Sequence, residues 1–204
     1  MTLVYLVRHA DHDYVGRGLA GRLGVPLNAA GRVQAERLGR WFGRERVSAV
    51  WSSPLPRTLD TAAPIARAHG LPVREADALL EVEFGAWTGK EFAALEDDAD
   101  WQRWNGIRSL SRPPGGESMS EVQGRMVDFI NQLRNDDPDG AHVLVGHGDP
   151  IRVALAYYLG VAIDLFLRIE VSPASISVLS MEPWGPCVLR VNGSSDEGSI
   201  APAP

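Results

Sequence analysis

Three short apolar runs, each closed by polar or basic residues, constrain the fold of this chain more than any other feature. Leu3-Val4-Tyr5-Leu6-Val7 ends in Arg8-His9, Val47–Trp51 ends in Ser52-Ser53-Pro54, and Ala141–Val145 ends in Gly146-His147-Gly148. Short β-branched runs with little polar alternation suit strands that are buried on both faces, as in a parallel sheet. Each run also delivers a polar or basic group at its C-terminal end.

Helical patterns separate these strands. Gly31–Glu45 places Ala35, Leu38 and Phe42 on one face, and Arg57–His69 is stopped by Gly70, with Pro64 expected to bend it or mark its true start. Ser118 to Asn135 carries Val122, Met126, Phe129, Ile130 and Leu133 at i+3 and i+4 spacing behind a Ser118/Glu121 capping box. Pro150–Leu159 puts Ile151, Ala154, Leu155 and Tyr158 on one stripe and ends at Gly160. Ser175–Met181 and Cys187–Val191 alternate as late strands joined by a turn at Pro183–Pro186. This alternation predicts an α/β fold with a mostly parallel central sheet and helices on both faces, its ligands outside the C-terminal strand ends. One domain is expected over residues 1–191, followed by a disordered Gly, Ser and Pro tail over 192–204.

Composition narrows the function. A chain of 204 residues, 45% hydrophobic and 23% charged, has the makeup of one large domain and not of a disordered segment. The stretch 153–163 is interrupted by Gly160 and is shorter than the ~20 residues of a membrane span, so no membrane association is expected. A net charge of −6, with nineteen Arg and the lone Lys90 dispersed, argues against nucleic acid. The single Cys187 cannot close an intramolecular disulfide, and the Met-Thr-Leu start lacks the plan of a signal peptide, so a cytoplasmic location is expected.

The candidate chemistry gathers at strand ends. Arg8-His9 alone reads as a polar strand terminus. His147 stands in the same position on another strand, between two glycines that permit close approach of a ligand, and the two imidazoles then share one crevice. Arg57 falls in the first turn of a helix, where the dipole prefers an anion, and a bound anion would relieve that conflict. Glu81 and Glu83 precede Phe84-Gly85-Ala86-Trp87-Thr88-Gly89; on a strand they face opposite ways, so only one enters the crevice. Pro113-Pro114-Gly115-Gly116-Glu117-Ser118 reads as the entry to a capped helix.

Taken in order, these segments resemble the histidine phosphatase superfamily, specifically its phosphoglycerate-mutase-like branch (branch 1), from Leu3 to about Arg152. The motifs that carry the resemblance are Arg8-His9, Pro26-Leu27 with Gly31 and Gln34-Ala35, and Ser53-Pro54-Leu55-Pro56-Arg57. Glu81 before Phe84-Gly85-Ala86-Trp87-Thr88-Gly89, Gly115-Gly116-Glu117-Ser118, and His147-Gly148 complete the set. The resemblance implies a phosphoglycerate-mutase-like fold and a metal-independent phosphatase, without cofactor, that hydrolyses a small phosphomonoester through a phosphohistidine intermediate on His9. It implies that Arg8, Arg57, His147 and Gly148 bind the phosphoryl group and that Glu81 donates a proton. Asp11, Gly21 and Arg22 are expected at the substrate entrance. Ala10, Asp11, Val15, Gly24 and Thr88 depart from residues common in the family and bear on substrate identity.

Residues 88–114, with Trp101, Arg103, Trp104, Arg108 and Arg112, have two readings: a cover over the site, or a helix pinned to the core by both Trp residues with its arginines solvated. The expected partner is a small phosphorylated metabolite, and a homodimer stays open. Alternatives are mutase-type phosphoryl transfer, a metal-dependent hydrolase built on His9, Asp11, His12, Asp13, His147 and Asp149, and a non-catalytic phosphate-binding module. Arg8 and Arg57 oppose a cation there.

Overall fold

In a computed structural model, which describes residues 1–198, the three apolar runs become neighbouring strands of a six-stranded sheet. The strands are β1 (Thr2–Arg8), β2 (Ala49–Ser52), β3 (Val73–Glu75), β4 (Ala141–Gly146), β5 (Ile176–Glu182) and β6 (Gly185–Gly193), in the spatial order β3-β2-β4-β1-β5-β6. The pairs β3/β2, β2/β4 and β4/β1 are parallel, whereas β5 and β6 add antiparallel pairs at one edge.

The helices are α1 (Ala29–Phe42), α2 (Pro56–Ala68), α3 (Ala99–Gly106), α4 (Met119–Asp136) and α5 (Gly148–Leu159); α1 and α2 cover one face of the sheet and α4 and α5 the other, while α3 belongs to the 88–114 segment. Alternation along the buried strands explains why both faces are apolar. Tyr5, Val7, Val143 and Val145 pack with Leu38, Phe42 and Ile65 of α1 and α2 on one side. Val4, Leu6 and Leu144 pack with Val122, Met126 and Leu155 of α4 and α5 on the other. A one-residue slip would exchange these two sets, so register is tightly specified. The Arg8↔Gly146 pairing that results brings the ends of β1 and β4 together.

Local signals act as the sequence predicts, with shifted limits. The capping box is complete: Ser118 Oγ accepts from Glu121 N, and Glu121 accepts from Ser118 N. α5 ends at Gly160 in the left-handed conformation. α2 begins at Pro56 and continues through Pro64, which is buried against Gly39 of α1; a Cβ at Gly39 would meet the Pro64 carbonyl. β6 runs to Gly193, past the boundary expected at Val191, and Trp41 Nε1 donates to Glu197 O at 2.9 Å. Residues 192–198 of the expected tail are therefore ordered by pairing with β5 and by this anchor. The rest of that tail, 199–204, lies outside the described residues. Among the described residues, no helix is long and apolar enough to cross a membrane.

Two loops are built around glycine. Gly85 has φ +51°, and a Cβ there would overlap the Pro114 carbonyl, while a Cβ at Gly116 would overlap the Glu83 carbonyl. The Phe-Gly and Gly-Gly-Glu segments are thus packed backbone to backbone. Gly85→Ala is expected to cost about 2–3 kcal/mol, a drop in thermal midpoint of about 5–10 °C. Gly70→Ala, with φ +64° but open space around it, should cost about 1 kcal/mol. Thermal melts of the two variants check the contrast.

Candidate active site

His9 follows β1 directly and is 2% exposed. Its Nδ1 lies 2.8 Å from Ala10 O, and since a carbonyl only accepts, Nδ1 carries the hydrogen and Nε2 bears the lone pair. Burial first, and then the charges of Arg8 and Arg57, hold His9 well below the usual imidazole range, so the ring is neutral at pH 7. Ala10 N donates to Thr61 Oγ1 at 3.0 Å, which fixes the turn after the strand.

His147 caps α5 at the end of β4, its ring centroid 5.2 Å from that of His9. Arg57 Nη2 donates to His147 Nδ1 at 3.2 Å, so the ring hydrogen sits on Nε2, which donates to Ser53 Oγ at 2.9 Å. Burial and then Arg57 keep this imidazole, too, well below its ordinary value. Arg57 is 1% exposed and donates to the carbonyls of Gly21 at 2.6 Å and Leu23 at 2.9 Å. Two carbonyl oxygens thus meet its charge in the first turn of α2, where the sequence reading called for an anion. Arg8 Nη1 donates to Val171 O at 2.7 Å, and the Nε atoms of both arginines are buried without a partner among the described residues.

Glu81 does not lie on a strand. The segment after Leu80 is an extended loop, yet its two acids still diverge as strand alternation predicts: the Glu81 side chain is 14% exposed and lines the cavity, whereas Glu83 is 34% exposed and faces Arg22 at 3.6 Å. Burial, and then Asp149, push Glu81 up to about 7 against the opposing pull of the Val82 N–H, Arg57 and Arg8. Its Oε2 is 4.0 Å from His147 Nδ1.

Arg8, His9, Arg57 and Glu81 line one cavity of about 160 Å³, together with His12, Tyr14, Leu19, Phe84, Phe92, Gly148, Asp149 and Arg152 among others, whereas the fully buried His147 does not reach its surface. Of the expected entrance residues, Gly21 lines it, but Asp11 and Arg22 do not. Asp11 instead accepts from Asn28 Nδ2 at 3.0 Å, because α1 packs so close that a Cβ at Gly31 would meet the Asp11 carbonyl. Arg22 donates to Glu117 at 2.8 Å and to the Glu81 carbonyl at 3.1 Å. Glu117 also accepts from Glu83 N and Arg125 Nε, so the Gly-Gly-Glu-Ser segment braces the Glu81 loop as well as opening α4. Arg22 therefore supports the wall from behind.

Sequence reasoning missed Tyr14, Phe92 and Arg152 as lining residues, and it named His12 only as a metal ligand. His12 Nδ1 accepts from Tyr14 N, its ring is 4.8 Å from that of His9, and burial, then Arg57 and Arg8, bring it down to about 4. Among the described residues, no three His, Cys, Asp or Glu side chains converge to share a metal ion. Of the arginines in the 88–114 segment, Arg108 is not solvated: it is 5% exposed.

Known proteins resemble this arrangement. The model of the histidine phosphatase superfamily (branch 1) matches residues 4–194. Phosphoserine phosphatase 1 of Hydrogenobacter thermophilus is 33% identical over 196 residues, spanning 94% of this chain and 92% of that protein. Glucosyl-3-phosphoglycerate phosphatase of Mycobacterium tuberculosis is 33% identical over 165 residues, 76% of this chain and 74% of the relative. The solved structure of the mycobacterial glucosyl-3-phosphoglycerate phosphatase complexed with VO3 superposes with a TM-score of 0.85 at 30% identity, covering 94% of this chain and 99% of that one.

Proposed function

The chain belongs to branch 1 of the histidine phosphatase superfamily, and on that premise we propose that it hydrolyses a small phosphomonoester through a phosphohistidine formed at His9 Nε2. The observation that carries the assignment is a neutral imidazole with its free lone pair at Nε2, beside the buried Arg57, the half-buried Arg8 and a carboxyl group that keeps its proton to about pH 7.

In the first step the Nε2 lone pair attacks phosphorus, the bond to the ester oxygen breaks, and Glu81 gives its proton to the departing alkoxide. The Ala10 carbonyl faces the Nδ1–H and steadies the positive charge that grows on the ring. Arg8, Arg57 and the Gly148 N–H at the start of α5 cradle the phosphoryl oxygens, with His147 bonded to Arg57 behind them, and the charge of the transition state is met by fixed donors. In the second step water attacks phosphorus, the P–N bond breaks, and the Glu81 carboxylate takes the water's proton. Residues 88–114 serve as the cover, with Phe92 on the cavity wall. The names of the relatives, phosphoserine phosphatase and glucosyl-3-phosphoglycerate phosphatase, support a substrate among small phosphorylated metabolites.

Turnover of p-nitrophenyl phosphate with release of inorganic phosphate, unchanged by EDTA, is the expected result. Loss of activity with EDTA would point to a metallohydrolase, and phosphate binding without turnover to a binding module. Arg57→Met should weaken vanadate binding by about 10- to 100-fold, since a charged hydrogen-bond donor to the anion is removed. Unchanged vanadate affinity would place Arg57 outside the cradle.

A further inference from the structure

Asp149 has no part in the two steps above, yet it lines the same cavity as Glu81. Both of its oxygens are held: Arg152 Nη1 donates to Oδ1 at 3.1 Å, and Arg108 Nη1 meets Oδ2 at 3.5 Å. Arg108 reaches Asp149 from just beyond α3. Its guanidinium stands 4.8 Å over the Trp104 ring and 4.9 Å over Phe166, and Nη2 donates to Asn105 Oδ1 at 2.7 Å. Arg152 is fixed in turn by its Nε bond to Ile169 O.

A carboxylate in a phosphate cradle repels the ligand, and holding a largely desolvated acid between two arginines has a cost, so phosphate binding does not account for this triad. Glu81 supplies a reason. The charges that act on it are those of Arg8 from β1 and Arg57 from α2, with the Val82 N–H of its own loop bonded to it and the neutral His147 at 4.0 Å, while Arg125 of α4 and Arg22 hold its backbone carbonyl oxygen and are themselves paired with Glu117. All the cations in this set favour the ionised carboxylate, which cannot donate a proton. Asp149 brings the opposing charge.

On the reading that Glu81 is the proton donor, we infer that Asp149 is a positioning residue for that proton: its pinned carboxylate opposes ionisation of Glu81, and Arg108 sets how strongly it does so. The segment around α3 is thereby tied to the chemistry through one buried arginine.

The test is the pH profile of kcat/KM for glycerol 1-phosphate, which needs a protonated leaving group, and for p-nitrophenyl phosphate, which does not. Asp149→Asn should move the basic limb for glycerol 1-phosphate down by about one pH unit, a loss of about tenfold above it, with the p-nitrophenyl phosphate profile unchanged. Arg108→Met leaves Asp149 held by Arg152 but less neutralised, so the limb should move up. Opposite shifts from two neighbouring residues are not a signature of general damage to the fold. Limbs that stay at the wild-type position in both variants, or shift in the same direction, would overturn the inference. Glu81→Gln, run in parallel, separates the two levels. If it shows the leaving-group dependence and Asp149→Asn does not shift the limb, the inference alone falls; if it shows none, the proton-donor reading falls and takes the inference with it.

Discussion

Replacing His9 with Ala is expected to abolish turnover, by about 10⁴-fold or more, because the nucleophile in a covalent mechanism has no substitute. The site leaves little room for rescue. His12 is 4.8 Å away ring to ring but is committed through Nδ1 to Tyr14 N, and His147 uses both nitrogens, on Arg57 and Ser53. Wild-type enzyme quenched during turnover should carry an acid-labile, base-stable phosphoryl group on His9, and the variant should carry none. Arg8 and Arg57 owe their placement to backbone carbonyls of Val171, Gly21 and Leu23 and not to His9, so inorganic phosphate should still bind the variant. Label recovered on a serine or aspartate would remove His9 from its role.

Glu81→Gln should show the second large effect, and it should depend on the leaving group. An alkoxide leaves only with a proton, whereas nitrophenolate departs unaided, so alkyl phosphates should slow by about 10²- to 10⁴-fold and p-nitrophenyl phosphate far less. The sign of the pH dependence follows from the raised value of about 7: below it Glu81 holds the proton it must give, and above it alkyl phosphate turnover falls. In the glutamine variant that basic limb flattens. Glu83→Gln is the control, since Glu83 is one-third exposed and faces Arg22 and the Gly85 N–H, so it should lose no more than about 1 kcal/mol of stability. If the leaving-group dependence appears in Glu83→Gln and not in Glu81→Gln, the two roles are exchanged.

The parts of the molecule legible in the sequence are those with a local physical signature. β1, β2 and β4 announce themselves because strands covered on both faces must be apolar throughout, and α4 because its capping box is contiguous in sequence. β3 is silent: three residues at the sheet edge, with Arg74 and Glu75 exposed, make no apolar run. The alternation argument separates Glu81 from Glu83 correctly although no strand forms there, because an extended loop keeps the same two-residue period. Asp11 and Arg22 adjoin lining residues in sequence but do not line the cavity, as each is drawn off by a partner on another segment, Asn28 and Glu117. The Arg108–Asp149 contact joins residues 41 apart, a pairing that no periodicity or cap could reveal.

The strand order also governs how the chain can be made. β4 lies between β1 and β2, yet it leaves the ribosome only after two-thirds of the chain has been synthesised. Until Ala141–Gly146 emerges, β1 and β2 have no common neighbour, and each presents an unpaired edge to the surrounding solution. A truncated chain ending before β4 should therefore stay unfolded and aggregation-prone. Full-length folding, waiting on contacts so distant in sequence, should run slowly for a domain of this size. β4 is thus the strand that joins β1 to β2 and, at its tip, sets His147 beside His9.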